Sequence, residues 1–235
     1  GMGPEATVDL MGRVIKATPA EDDIDHIRMV VDNNPQVPSR IKAIIEGTGE
    51  SPAPCMAQMA RNLAASGADF LVIPCNTAHF YYDEVCSAVD IPVINMIDVT
   101  VKAVFNENAS IRTVGLLASK AVLMTDLYMK PFKEKGVDVI YPSPEAQELL
   151  MASVLKIKTG KYDIGDRGIL QSAAEELVRK RAEALIVACT ELSIICDGLD
   201  AGVKVYDASQ VLAEVRYPRP ARWPALRCRP EDFVP

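Results

Sequence analysis

Two cysteines occupy equivalent points in two similar stretches of the chain. Cys75 follows the apolar run at 70–73 after a single proline, and Cys189 follows the run at 185–188. An apolar run without polar alternation is typical of a strand that is buried on both faces, as in a parallel sheet. The residues after each cysteine are favoured helix N-caps, namely Asn76, Thr77 and Thr190. We therefore expect each thiol to lie between the end of a strand and the first turn of a helix, where ligands bind in open α/β sheets.

Two thiols on opposite sides of one cleft are suited to proton transfer at carbon. A thiolate can remove a proton from one face of a Cα while a thiol delivers one to the other face, which inverts the configuration. A helix N-terminus lowers the pKa of a thiol from about 8.5, so one of the two can ionise near neutral pH. The same helix ends, with Asn76, Thr77 and Thr190, can donate hydrogen bonds to an α-carboxylate. The alternative is that both are ordinary buried cysteines in surroundings that are similar by coincidence.

The rest of the chain alternates apolar runs with segments of helical periodicity. Strands are predicted at 27–31, from residue 70 to Cys75, and at 91–96, 113–117, 137–141, 185–188 and 203–206. Helices are predicted at 8–15, 41–45, 52–66, 81–89, 99–106, 122–135, 145–158, 166–181 and from residue 208. This alternation predicts an α/β fold of two similar, doubly wound parallel-sheet halves, Rossmann-like or flavodoxin-like, with the site between them.

Three regions follow from this pattern. Residues 1–97 form a first half with Cys75, residues 98–207 a second half with Cys189, and residues 208–235 the start of a last helix and a tail. A Gly-Met-Gly-Pro turn normally follows a strand, so we expect the first half to lack its N-terminal strand. The tail from Arg216 is rich in arginine and proline and is predicted to be extended or disordered, or else a basic partner-binding segment.

Composition narrows the class of protein. With 49% hydrophobic and 24% charged residues the chain is typical of a globular protein, and a net charge of −7 argues against nucleic-acid binding. The sequence has no membrane-spanning run and no signal peptide, which predicts a cytoplasmic location. The six cysteines include no C-x-x-C pair and only two histidines accompany them, so we expect no structural metal. We interpret the remaining cysteines as small buried residues: Cys55, Cys86, Cys196 and Cys228.

Six segments of the chain resemble one protein family. They are GMGPEAT at the start, NNPQVPSR, GADFLVIPCNTAH, IPVINMID, VGLLAS and the ACTEL turn, and together they span residues 1 to about 215. The sequence is similar in these segments to cofactor-independent aspartate racemases of the Asp/Glu/hydantoin racemase superfamily. The resemblance implies two α/β halves with the active site between them, a homodimer, and the two acid/base residues Cys75 and Cys189. It also implies catalysis without pyridoxal phosphate or metal.

The resemblance also assigns substrate contacts. Arg40, at the end of the NNPQVPSR segment, and Lys158 match family residues that bind the side-chain carboxylate of the substrate. Without the resemblance, both would be interpreted as solvated charges at helix ends. Met2 in the opening turn and Ser119 after the VGLLA run are the other implied contacts. A guanidinium paired with the carboxylate through two hydrogen bonds would favour a dicarboxylic amino acid.

Several functions remain open at this level. The leading hypothesis is an enzyme that interconverts L- and D-aspartate. A broader amino-acid racemase, a maleate isomerase or a decarboxylase would use the same fold, and a decarboxylase would need only one essential cysteine. A ligand-binding relative that has lost turnover is the alternative from another class.

Overall fold

The computed structural model describes residues 1–215. The prediction for the arginine- and proline-rich tail, and the one for Cys228, fall on residues 216–235 and lie outside the described part of the chain. Within the described part, no helix combines the length and the apolar character that a membrane span requires.

Strands and helices alternate along the described chain. The strands are β1 (Leu71–Val72), β2 (Val93–Ile94), β3 (Thr113–Ala118), β4 (Asp138–Ile140), β5 (Ala184–Ala188) and β6 (Lys204–Asp207). The helices are α1 (Pro4–Ala17), α2 (Ala53–Ala65), α3 (Tyr82–Cys86), α4 (Met96–Glu107), α5 (Lys120–Met124), α6 (Met129–Lys133), α7 (Pro144–Lys158), α8 (Ile164–Arg179), α9 (Thr190–Ile195) and α10 (Ala208–Glu214). Three short segments complete the list: 3₁₀ turns at Asp23–Asp25 and Thr77–Tyr81, and a π-helical turn at Lys42–Glu46.

The larger sheet is parallel throughout and has the strand order β4-β3-β5-β6. Both of its faces are covered, because one apolar cluster packs α4, α5 and α6 on one side and another packs α7, α8 and α9 on the other. The central strand β5 is therefore buried at every position. This is the architecture that the unbroken apolar run at 185–188 predicted.

The smaller sheet pairs β1 with β2, again in parallel, with Leu71 beside Val93 and Val72 beside Ile94. It packs against α2 and α3 through a separate apolar cluster. The α/β class is thus as predicted, although the two halves differ in the number of strands that the described residues contribute.

Several predicted elements are wrong in extent or type, among them the strand at 91–96, which is only Val93–Ile94, and the helix at 41–45, which is a π-helical turn. The stretch 27–31 is not a strand but irregular chain, with Ile27, Val30 and Val31 more than 40% exposed. An apolar run forms a strand only where a neighbouring strand can accept its backbone hydrogen bonds, and this run has none beside it in residues 1–215. The strand from residue 70 ends at Val72, since Pro74 cannot donate to a ladder.

The predicted helix at 122–135 is also divided. It consists of α5 and α6, separated by a turn in which Asp126 has a φ of 52°. A positive φ is unfavourable in a continuous helix, and aspartate tolerates it better than most residues. The break brings Tyr128 into the core, where its side chain is fully buried.

A largely buried arginine connects α1 to the second half of the chain. Arg13 pairs with Asp207 at 2.9 Å and donates to the Ser193 carbonyl at 2.7 Å. The Ser193 hydroxyl in turn donates to Asp207 at 2.6 Å. Because Ser193 lies on α9, this network fixes the helix that begins immediately after Cys189.

Candidate active site

The two cysteines with similar surroundings line one cavity, whose empty space, together with its solvent-open mouth, is about 450 Å³. Eight of the nine residues named from the sequence belong to its lining: Arg40, Cys75, Asn76, Thr77, Ser119, Lys158, Cys189 and Thr190. The others in the lining are Ser39, Ile41, Val154 and Glu191. The cavity therefore gathers residues from five separate stretches of the sequence.

Met2 is the exception among the predicted contacts. Its side chain is 7% exposed and packs in the apolar cluster of the first half. It lines a second, largely apolar cavity with residues of α2 and β1, and it is absent from the lining of the first cavity. A packed position of this kind explains the residue type without a substrate contact.

Sheet topology explains the position of Ser119 and Cys189. Ala118 and Ala188 are paired in register on β3 and β5, so the residues that follow them leave the sheet side by side. The chain runs from β3 outward to β4 and then crosses to β5, which makes the gap between β3 and β5 the point where the winding direction reverses. Ligands bind at this point in open α/β sheets, at the carboxyl ends of the strands.

Cys75 reaches the cavity from the chain that follows the smaller sheet. It lies three residues beyond β1 in a tight turn, in which its N–H donates to the Ile73 carbonyl at 2.8 Å. Its side chain is half-buried. The next two residues face the second half, since the Thr77 and Ser119 hydroxyls are hydrogen-bonded at 3.1 Å. This contact joins the two walls of the cavity.

Cys189 has a more enclosed environment. It is 5% exposed, it is the N-cap of α9, and its thiol donates to Glu191 Oε2 at 3.3 Å. Burial and the negative charge of Glu191 raise the pKa of Cys189 well above its ordinary value. The expectation that a helix N-terminus would lower it is wrong for this cysteine, because the backbone N–H groups are outweighed. At neutral pH the Cys189 side chain is therefore a thiol, able to donate a proton.

Glu191 is a site residue that the sequence reasoning did not single out. Its side chain is 14% exposed, with one oxygen at the Cys189 thiol and the other 4.0 Å from Lys158 Nζ. The available signal was an ionisable side chain within the ACTEL turn, two residues after the cysteine. Helical geometry at that spacing does not by itself predict contact with the cysteine.

We expect Glu191→Gln to accelerate alkylation of Cys189 by iodoacetamide. The substitution removes a negative charge that raises the pKa of Cys189, so the thiolate fraction below that pKa should rise by roughly three- to tenfold. Peptide mapping by mass spectrometry at pH 8 measures the rate at this cysteine. Glu148→Gln is the matched control, since Glu148 pairs with Lys120 at an exposed position. An equal or slower rate in Glu191→Gln would contradict the charge effect.

The positively charged side chain of Arg40 lines the cavity and has no acidic partner within residues 1–215. Its Nη1 donates weakly to the carbonyls of Val37 and Pro38, at 3.4 and 3.2 Å. No ion pair formed within residues 1–215 includes Arg40. The remaining guanidinium donors can therefore bind a carboxylate that enters the cavity, whereas Lys158 begins with Glu191 as its partner.

Asn76, one of the lining residues, has a donor without a partner in the described part of the chain. The side chain is 2% exposed, and its Nδ2 has no hydrogen-bond partner within residues 1–215. A buried amide without an acceptor costs about 1–3 kcal/mol, so such groups persist mainly where a ligand supplies the missing partner. An anionic ligand oxygen would satisfy this donor.

His79 supports the Cys75 turn from behind. Its Nε2 accepts from the N–H of Met96 at 3.0 Å, so Nδ1 carries the proton and donates to the Cys75 carbonyl at 2.9 Å. The ring is 4% exposed, and burial lowers the pKa of His79 from 6.5 to about 4. His79 therefore stays neutral near pH 7 and acts as a fixed bridge between the turn and the start of α4.

The folded protein should become less stable as the pH falls from 7 to 4. A folded-state pKa of about 4 against 6.5 when unfolded means that the unfolded chain binds the proton first. The free energy of unfolding should then decrease by about 3 kcal/mol from this group over that interval. Urea titrations at several pH values measure it, with His79→Gln as the comparison that subtracts the carboxyl groups. Parallel profiles for the two proteins would be inconsistent with a buried neutral His79.

The side chains that line the cavity are suited to acid/base chemistry on a small anionic molecule. Within residues 1–215, no group of three or more histidine, cysteine, aspartate or glutamate side chains could hold a metal ion. The cavity instead offers two thiols, two cations and several hydroxyl and amide donors.

Known proteins share this arrangement of elements. The model of the Asp/Glu/hydantoin racemase family matches residues 1–215. A broad specificity amino-acid racemase of Bacillus subtilis (strain 168), RacX, is 27% identical over 227 residues, covering 91% of this chain and 92% of that protein. The Picrophilus torridus aspartate racemase superposes with a TM-score of 0.77 at 28% identity, covering 91% of this chain and 88% of that one.

A more distant structure shares the fold. A glutamate racemase from Bacillus anthracis has a TM-score of 0.64 at 17% identity, over 90% of this chain and 76% of that chain. Its likeness supports the two-domain α/β architecture alone. Together with the match over the described chain, these findings identify the family: the chain belongs to the Asp/Glu/hydantoin racemases.

Proposed function

We propose that this protein racemises aspartate, with Cys75 and Cys189 as the two acid/base residues. The observation that carries the proposal is that both thiols line one cavity together with Arg40 and Lys158. The likeness to an aspartate racemase over most of both chains supports the same substrate class.

The reaction begins with Cys75 as a thiolate and Cys189 as a thiol. Cys75 removes the proton from one face of Cα, and the electron pair of the C–H bond moves into the α-carboxylate. Cys189 then delivers its proton to the opposite face, which restores the C–H bond with inverted configuration. One proton is taken and one is given, so no oxidant or reductant is needed. The product complex holds a Cys75 thiol and a Cys189 thiolate, which is the starting state for the reverse direction.

The planar intermediate needs donors at its carboxylate oxygens. Negative charge accumulates there when the C–H bond breaks, and fixed donors aimed at such charge usually supply the largest stabilisation. The donors for this purpose are the unpaired Nδ2 of Asn76, the Thr190 hydroxyl, which has only a 3.5 Å contact with Glu191, and one hydroxyl of the hydrogen-bonded pair Thr77 and Ser119. Their supporting elements are buried, which keeps the donors in place between turnovers.

Two cations would select the side-chain carboxylate. Arg40 is free of acidic partners among residues 1–215 and can bind both carboxylate oxygens. Lys158 Nζ lies 4.0 Å from a carboxylate oxygen of Glu191, a weak contact that a substrate carboxylate can replace. A neutral amino acid would leave Arg40 without a counter-charge in a partly enclosed cavity, which costs binding free energy.

Exchange with D2O tests the proposal directly. L-aspartate incubated with the protein, without added cofactor, should lose its α-proton signal in the NMR spectrum and its optical rotation. A thiol carries a single proton, so at low conversion deuterium should appear in D-aspartate while the remaining L-aspartate keeps its α-proton. Retention of both signals over long incubation with folded protein would reject the function.

A broader amino-acid racemase is the second candidate. Glu191 already compensates the charge of Lys158, so the preference for a dicarboxylate depends mainly on Arg40. The likeness to a broad specificity racemase points the same way. A panel of substrates that includes alanine, glutamate and lysine separates the two candidates.

Release of CO2, isomerisation of maleate or binding without turnover would instead favour the remaining relatives. We also propose that the protein is a homodimer, and light scattering would test this.

A further inference from the structure

Asn76 is held by a residue from the other half of the chain. The Tyr128 hydroxyl donates to Asn76 Oδ1 at 2.7 Å, and both side chains are buried, at 0% and 2% exposed. Tyr128 lies in the turn between α5 and α6 and is not part of the cavity lining. Burial raises the pKa of Tyr128, so its hydroxyl stays protonated and remains a donor throughout the neutral range.

This contact closes a ring of buried polar groups behind the Cys75–Asn76 turn. The Cys75 carbonyl accepts from His79, whose other nitrogen accepts from the N–H of Met96. The Met96 carbonyl accepts from the Thr100 hydroxyl at 2.7 Å, and Thr100 contacts the Tyr128 hydroxyl. Tyr128 then returns to the Asn76 side chain. Asn76 Nδ2 is the one side-chain donor of this network without a partner among residues 1–215, and a buried network of this kind holds a single geometry because each group lost would leave others unpaired.

The ring matters because a carboxamide has two different ends. With Oδ1 engaged by Tyr128, Asn76 keeps Nδ2 as a free donor in a side chain that lines the cavity. The flipped amide would instead give Nδ2 to Tyr128 and present an oxygen to the cavity. An oxygen there would repel the α-carboxylate of the substrate, whereas an N–H group binds it.

We infer that Tyr128 is a positioning residue, which orients the Asn76 amide so that its N–H group faces the substrate carboxylate. The inference rests on the proposed racemase function for the role of the donor, but the orientation itself is a property of the protein alone. Tyr128 would thus contribute to substrate binding from a position that the substrate does not touch.

A double-mutant cycle tests the coupling. Tyr128→Phe removes only the hydroxyl and should raise the KM for aspartate about tenfold, with a smaller effect on kcat, because a hydrogen bond to a charged carboxylate becomes poorly aligned. In an Asn76→Ala background the same substitution should change kcat/KM by less than about twofold. Tyr206→Phe is the matched control, since the Tyr206 hydroxyl donates to Glu107 away from the cavity. Equal losses from Tyr128→Phe in both backgrounds would overturn the inference, since they would indicate general loosening of the core.

A second measurement does not depend on activity. The side-chain amide signals of Asn76 can be observed by NMR in protein labelled with ¹⁵N-asparagine. They are identified as the signals that disappear in Asn76→Ala. The isosteric Asn76→Asp serves the same purpose if the alanine variant does not fold. The chemical shifts of these signals should change in Tyr128→Phe and should not change in Tyr206→Phe. Unchanged signals in Tyr128→Phe would overturn the inference whatever the enzyme does. Shifted signals in a wild-type protein that does not racemise would reject the proposed function and leave the orientation supported.

Discussion

Serine in place of Cys75 or of Cys189 is expected to lower the turnover of aspartate racemisation by at least roughly 10³-fold. A serine hydroxyl is a far weaker acid than a thiol. It is therefore almost never ionised and cannot act as the base, and it delivers a proton to a carbanion less readily than a thiol does. Each substitution removes one of the two proton-transfer partners while changing the side-chain volume little. Chiral chromatography of the D-aspartate formed measures the rate.

Cys55→Ser is the matched control for these variants. Cys55 lies at the start of α2 in the same half as Cys75 and accepts a hydrogen bond from Asn34 at 3.5 Å, which a serine oxygen can also accept. This variant should retain the wild-type rate. A folded Cys75→Ser or Cys189→Ser protein with near-full activity would remove that cysteine from the mechanism.

Arg40→Gln should weaken aspartate binding by about 2–3 kcal/mol, which is roughly a 30- to 150-fold rise in KM. The loss arises because the side-chain carboxylate would enter the cavity without its full positive charge, and Lys158 is already shared with Glu191. The KM for alanine, which has no side-chain carboxylate, should change by less than about threefold by the same reasoning. Steady-state kinetics with both amino acids gives the ratio.

Lys42→Gln is the control for Arg40. It removes one positive charge two residues further along the chain, from an exposed side chain outside the cavity lining. Long-range electrostatics alone would give similar effects for the two variants, and screening by salt keeps such effects small. Equal changes in KM for aspartate and for alanine in Arg40→Gln would contradict a role in binding the side-chain carboxylate.

The position of the two thiols was accessible from the sequence because it depends on local patterns. The apolar run at 185–188 is long enough to specify a buried parallel strand, and β5 is that strand. A residue after such a strand must emerge at the sheet edge where cavities form. The α/β class followed for the same reason.

Contacts between distant parts of the chain were not accessible in this way. The apolar run at 27–31 has the composition of a strand, but strand formation depends on a partner that composition does not reveal. Glu191 and Tyr128 are similar cases. Their roles follow from which atoms lie 3.3 Å from the Cys189 thiol and 2.7 Å from the Asn76 oxygen, and those neighbours are set by packing of the whole molecule.

The unequal surroundings of the two thiols have a kinetic consequence. Mirror-image amino acids have the same free energy in water, so a racemase must show identical kcat/KM values for both of its substrates. In the proposed mechanism one enantiomer is accepted by the protein form with a Cys189 thiolate, and Glu191 makes that form scarcer than it would be without this carboxylate, because it raises the pKa of Cys189. Any advantage in maximal velocity towards one hand must be matched by a proportionally higher Michaelis constant. Under the proposed mechanism, the carboxylate beside Cys189 thus sets the balance between KM and kcat for each enantiomer, and leaves the final one-to-one mixture untouched.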